Sequence, residues 1–234
     1  MRAATAGHEG NPRALARDLA SQVSLLTVRN TSAVRIVRRE FSRRVAGKPP
    51  EFVKEFAASL LSEQRGQLRW VAYELVSYHK PTFEQLRTPD LQKFGEGIDN
   101  WASVDCFGLY LAGPTWAQGR VSDRTITGWA RSEDRWWRRA ALVSTVALSR
   151  RGAARDVAKV TRVCRLLASD RDDMVVKAVS WALRELAKKH PQPARSFLEE
   201  HRPKLAARVI REVENKLATG LKTPRRSRNE QLQD

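Results

Sequence analysis

The chain is short of cysteine, histidine and long apolar runs, and each shortage removes a class of protein. Only Cys106 and Cys164 occur, each inside an apolar periodic segment. No disulfide framework of the secreted kind can be drawn from them, so a reduced intracellular protein is the simplest reading. His8, His79, His190 and His201 are scattered, with no Cys/His or HExxH spacing. A structural or catalytic zinc site therefore has no support, and no cofactor is expected. No apolar run approaches the roughly 18 residues that a membrane span requires, and Met1 to Pro12 holds no apolar core before a small-residue cleavage site. The protein is expected to be cytoplasmic, off the membrane and monomeric. Strand signals are lacking too: there is no sustained period-2 alternation and no Asn-Gly or Asp-Gly hairpin. An all-α fold is expected.

What the sequence has in excess is positive charge. Lys and Arg number 43 against 26 Asp and Glu, a formal net charge of +17 over 234 residues. Such a surface repels itself unless a polyanion is nearby, and nucleic acid is the natural one. Membrane surfaces and ribosomes stay open as other anionic partners.

The periodic stretches are rich in Ala, Leu, Arg, Glu and Lys and carry apolar residues at i, i+3, i+4 and i+7. Leu60, Leu61, Leu68, Val71, Ala72, Leu75 and Val76 read as one buried stripe. Helix ends are expected at His79-Lys80-Pro81 and His190-Pro191, where a cationic residue suits the negative helix end and proline stops continuation. Two segments align without gaps, one starting at Asp134 and one at Asp172, 38 residues apart. Each runs from an acid that can cap a helix into a basic residue, an alanine and an apolar helix. Weaker relatives occur at about Glu63 to His79 and Arg202 to Leu217. Repeats of this length stack as paired helices into a solenoid whose concave face can follow a long ligand. The expected division is a flexible N-terminus over 1–13, a repeat domain over 14–218 and a basic disordered tail over 219–234, the tail carrying Lys222, Arg225, Arg226 and Arg228. Between Ser32 and Arg44 apolar and basic positions alternate at helical spacing, which fits a phosphate contact or a solvated face equally well.

Ile98 to Leu109 reads as a helix that places Trp101 and Asp105 at i and i+4, an aromatic plane and a carboxylate on one face. Asp105 lies between Val104 and Cys106, where an ionised group is costly unless it has a partner or a ligand. On those residues alone a salt bridge or a helix cap is favoured over catalysis. Further on, Arg138 and Arg139 follow Trp136 and Trp137 at a helix start, a place suited to phosphate. Trp70, Trp116, Trp129 and one of Trp136 and Trp137 read as core; Trp101 and Trp181 stand apart from them.

Three blocks now agree in order and spacing: Asn100-Trp101-x-x-Val104-Asp105, Trp137-x-Arg139-Ala140-Ala141, and Lys177-Ala178-x-x-Trp181-Ala182-Leu183-Arg184-Glu185. Together they resemble the AlkD-type DNA alkylation-repair glycosylases, a family of HEAT-like helical repeats, over roughly Thr31 to Lys216. The resemblance implies a curved solenoid with a basic concave face that acts on double-stranded DNA containing alkylated purines. It implies hydrolysis of the N-glycosidic bond of a cationic N3-alkyladenine or N7-alkylguanine, with bulkier adducts open. By the same resemblance Asp105 is the ionised catalytic carboxylate that stabilises the oxocarbenium sugar and positions water. Trp101 and Trp181 contact lesion and sugar, and Arg139, with Arg138 beside it, holds DNA phosphate. The chemistry is coherent, since a cationic purine is already a good leaving group and needs no general acid. The residues between Trp101 and Asp105 carry no role that the motif assigns. A noncatalytic HEAT-repeat scaffold for nucleic acid or for an acidic protein would explain the charge and the repeats as well.

Overall fold

The computed structural model describes residues 10–27, 30–63 and 66–224, with the backbone alone at Gly66 and Gln67. Arg225, Arg226 and Arg228 lie outside the described residues, as do the first nine. Among the described residues there is no strand. The fold is all-α, as expected, and it divides into two compact units, 1–122 and 123–234.

The first unit holds α1 (Pro12–Ser24), α2 (Thr31–Arg44), α3 (Pro50–Ser62), α4 (Gly66–Tyr78), α5 (Lys80–Gln85), α6 (Thr88–Gly95), α7 (Trp101–Cys106), a π-helical segment (Phe107–Ala112) and α8 (Gly113–Ala117). The start of α1 is written locally: Asn11 accepts from the amides of Arg13 and Ala14 at 2.9 and 3.1 Å, and Pro12 occupies the first turn, where its missing N–H costs nothing. The stripe from Leu60 to Val76 is divided between two helices, because α3 stops at Ser62 and α4 restarts at Gly66. Leu60 closes the buried face of α3, while Leu68, Val71, Ala72, Leu75 and Val76 are all but fully buried on α4. With α1 against α3 and α2, α3, α7 and the π segment against it, α4 is the centre of this unit.

The second unit holds α9 (Asp123–Trp129), α10 (Arg135–Arg151), α11 (Val157–Leu166), α12 (Asp173–Lys189), α13 (Pro191–His201) and α14 (Ala207–Thr219). The two aligned segments are α10 and α12, each 17 residues long. Each is capped by the acid the alignment singled out. Asp134 accepts from the amide of Trp136 at 2.8 Å, and Asp172 accepts from those of Met174 and Val175 at 2.9 and 3.3 Å. The long helices α10, α12 and α14 stack side by side, with α11 and α13 packed against them. A helix so placed buries nearly its whole circumference, which is why Ala140 to Val143, Val146 and Leu148 are all inaccessible. Ion pairs join successive long helices: Arg138 to Asp170 at 2.8 Å, Arg135 to Asp172 at 3.4 Å and Arg208 to Asp173 at 2.9 Å. Beyond α14 the chain turns at Gly220, held at φ 74°, where a side chain would be strained. Lys222 of the basic tail falls just past this turn, 3.4 Å from Glu212.

The two histidine-proline ends resolve differently from the cationic role expected of them. His79 caps the helix that follows: its Nδ1 accepts from the amide of Thr82 at 3.3 Å, which requires a lone pair on that nitrogen. His190 ends α12, and its Nε2 lies 3.2 Å from the carbonyl of Gly152. Both rings act by hydrogen bonding, because proline at the next turn leaves each histidine facing a free backbone group. Cys106 and Cys164 are free thiols, and no helix among the described residues is long and apolar enough to cross a membrane.

Candidate active site

Helix α7 is short and begins on a built cap. Asn100 stands in extended backbone and accepts from the amide of Ser103 at 2.9 Å, while its own amide donates to Asp99 at 2.8 Å. Ser103 and Val104 point into the core, and this fixes what the opposite positions present. Trp101, the first residue of the helix, is 58% exposed, an unusual fate for so large an apolar surface. Asp105 follows one helical turn later, half-buried. Cys106 comes next, and burial first, then the Asp105 carboxylate, push its thiol up to about 11.

Immediately after Asp105 and Cys106 the helix widens into a π-helical segment. The sequence accounts for the change. Pro114 has no N–H to give the carbonyl four residues back, and its ring would meet that carbonyl in a continuing α-helix. Shifting to the wider register avoids the clash, and the amide of Gly113 donates to Gly108, five residues back. Phe107 anchors the segment against Tyr73 with ring centroids 5.7 Å apart, and the Tyr73 hydroxyl donates to the Phe94 carbonyl at 2.9 Å. The carboxylate is thus held at the junction of two helical registers, one end capped and the other packed.

On α2 and α4 the same unit holds residues that the sequence reading passed over. Glu74 is buried and accepts from Arg35 and Arg38, at 2.9 Å from Arg35 and 3.0 Å from Arg38. The signal was present: an acid inside Val71-Ala72-Tyr73-Glu74-Leu75-Val76 requires a cationic partner. Of the basic positions between Ser32 and Arg44, Arg35 and Arg38 pair with Glu74 and Arg44 with Asp18, while Arg39 and Arg43 are exposed.

In the second unit Trp181 lies half-buried on α12, and the Arg150 guanidinium stands 5.8 Å from the centroid of its ring. Arg150 is itself 3.7 Å from Glu185, which Lys188 also meets at 2.9 Å. A cation at an aromatic face is what the motif leads one to look for, here supplied by the protein. Arg138 and Arg139 are turned inward. Arg138 donates to Asp170 at 2.8 Å and to the carbonyls of Ser132 and Glu133 at 3.0 and 2.6 Å. Arg139 is 6% exposed and donates to the Met174 carbonyl at 2.5 Å, pinning the first turn of α12. What the sequence could not show is that the start of the next repeat folds over these guanidinium groups. The remaining tryptophans divide as core residues do: Trp116 and Trp129 are buried, Trp137 lies against Trp129 at 4.9 Å, and Trp70 and Trp136 are half-buried beneath Arg35 and Arg135.

Among the described residues no three His, Cys, Asp or Glu side chains are grouped as metal ligands. A groove of about 590 Å³ in the first unit is lined by residues that include Arg13, Arg17, Glu55, Arg69 and Lys93, and Trp101 and Asp105 are not among them.

Compared with known proteins, residues 5–217 match the model of the family described as DNA alkylation repair enzyme. No curated protein and no solved structure matches the chain.

Proposed function

The chain belongs to the DNA alkylation repair enzyme family, and on that premise we propose that it is a monofunctional DNA glycosylase that removes cationic alkylated purines from duplex DNA. The observation that carries this reading is the first two turns of the α7 region: an exposed Trp101 on a capped helix start, with the half-buried Asp105 one turn on. An aromatic face attracts a cation by about 0.5 to 2 kcal/mol, which favours a charged purine over a neutral one without any reading of base edges. The carboxylate is then the group that stabilises positive charge developing on the sugar and orients water toward it. A purine carrying a full charge leaves without protonation, so one carboxylate suffices. Trp101 and Trp181 are the proposed contacts to lesion and sugar.

The phosphate contact proposed for Arg139, with Arg138 beside it, takes an exchange. Each guanidinium would give up a backbone carbonyl for a phosphate oxygen. Short of that exchange, their contribution is to hold α10 to the start of α12, with the exposed cations around them meeting the duplex first.

Release of free base from a duplex carrying N7-methylguanine or N3-methyladenine tests the reading. The unaltered protein is expected to release it, and Asp105→Asn, which removes charge with little change of volume, is expected to bind the duplex as before and release no base. Equal release by both proteins would take Asp105 out of the mechanism. Tight binding with no release from either lesion would favour a noncatalytic repeat scaffold.

A further inference from the structure

Glu74 sits in the middle of α4 with its side chain 2% exposed, and the proposed chemistry makes no use of it. Arg38 answers its charge from α2. The Arg38 Nε donates to Oε2 at 3.0 Å, its side chain is 8% exposed, and its guanidinium lies 4.5 Å from the centroid of the Tyr78 ring. One arginine neutralises one carboxylate. Arg35, a turn earlier on α2, is in excess of that need.

Arg35 is also held unusually firmly for a side chain that remains 41% exposed. Its Nε and Nη2 donate to Glu74 Oε1 at 3.0 and 2.9 Å, and its guanidinium stands 5.5 Å from the centroid of the Trp70 ring. One edge and one face of the plane are thereby fixed, and Nη1 is left unused by Glu74. A planar fork held in advance loses little rotamer freedom when it meets a phosphate, which is the advantage arginine has over lysine there. Its position relates to the proposed site. The Cys106 sulfur is within electrostatic reach of Asp105, Glu74 and Arg35 together, the two carboxylates raising its thiol and the guanidinium opposing them. Tyr110 on the π segment is raised by burial, then by Glu74 and Cys106, with Arg35 again opposing.

We propose that Arg35 is a DNA-phosphate contact of the first unit on the side of Asp105, and that Glu74 is the positioning residue that fixes its guanidinium for that contact. The inference rests on duplex DNA being the partner, as in the function proposed above. It adds a residue that none of the three motif blocks contains.

The test is binding of an undamaged DNA duplex by the full chain across a range of salt, comparing the unaltered protein with R35Q, R35K and E74Q. R35Q is expected to make the slope of log affinity against log salt shallower by about one unit, which is about an eightfold loss at roughly 0.1 M salt. R35K keeps the charge and gives up the planar fork, so the slope is expected to stay while affinity falls several-fold. E74Q adds a positive charge: mere neutralisation predicts tighter binding, whereas positioning predicts weaker binding. Melting temperatures accompany each variant, and should E74Q fail to fold, R35K carries the same question on a half-exposed side chain. An R35Q slope equal to that of the unaltered protein overturns the contact. R35K binding as tightly as the unaltered protein overturns the positioning by Glu74. Base release does not enter, so failure of the glycosylase chemistry is read separately. Absence of any duplex binding by the unaltered protein would overturn both proposals.

Discussion

Burial governs the titration of several single residues, and the consequence is open to measurement. Tyr73 is pushed from 10.0 up to about 12 by burial, Cys164 from 9.0 up to about 12 by burial alone, and Cys106 from 9.0 up to about 11 by burial and then Asp105. Each is neutral in both folded and unfolded chains below pH 9. Above it the unfolded chain ionises first, so the stability these groups contribute is whole below about pH 9 and is lost as pH rises toward about 12. The melting temperature is expected to fall over that window, and Cys164→Ala, which removes one of the three groups, is expected to fall less steeply. A curve of melting temperature against pH for the two proteins checks this; identical slopes would mean that Cys164 ionises as freely when folded as when unfolded. At this scale Trp101 and Asp105 were legible from their spacing alone, because a one-turn separation on a helix decides what shares a face. Glu74 and its two arginines were not, since an acid in an apolar run announces that it needs a partner without saying which of 43 cations supplies it.

At the scale of elements, the second unit is assembled by joining one long helix to the next through side chains that reach backbone. Arg139 leaves α10 and fastens the Met174 carbonyl at the first turn of α12, while Arg138 reaches Asp170 ahead of the Asp172 cap. Truncating a buried guanidinium leaves that carbonyl without its donor and opens a gap between two helices, a loss of about 1 to 3 kcal/mol. Arg139→Ala is therefore expected to lower the melting temperature by several degrees and to weaken duplex binding without altering its salt slope. Thermal unfolding and a salt titration of DNA binding check the two halves together. A slope shallower by about one unit would instead assign Arg139 a direct phosphate contact. The α10 and α12 boundaries were readable because capping is local chemistry, and the break between α3 and α4 was missed because apolar spacing carried across it.

For the whole molecule, a formal charge of +17 ensures affinity for any polyanion, so charge alone does not select DNA. Selection has to come from side chains fixed in place, as Arg35 is by Glu74 and Trp70. Duplex binding is accordingly expected to survive a heparin competitor supplied at equal charge, and to weaken linearly in log salt. Competition measured at one fixed salt concentration checks this. Complete displacement by heparin would leave only non-selective charge attraction and would favour a scaffold for acidic partners.

The sequence by itself determined the helical class, the two capped repeats and the pairing of an aromatic with a carboxylate on α7. Those features follow from periodicity and from hydrogen bonds within a few residues of the chain, where distance along the sequence stands for distance in space. Only the tertiary structure decided which arginines are available. Arg138 and Arg139 are drawn in by backbone carbonyls of later turns and repeats, and Arg35 is set half-exposed by a glutamate 39 residues away. A guanidinium goes wherever an unsatisfied acceptor lies within reach, and which acceptors come within reach is settled by how the helices pack.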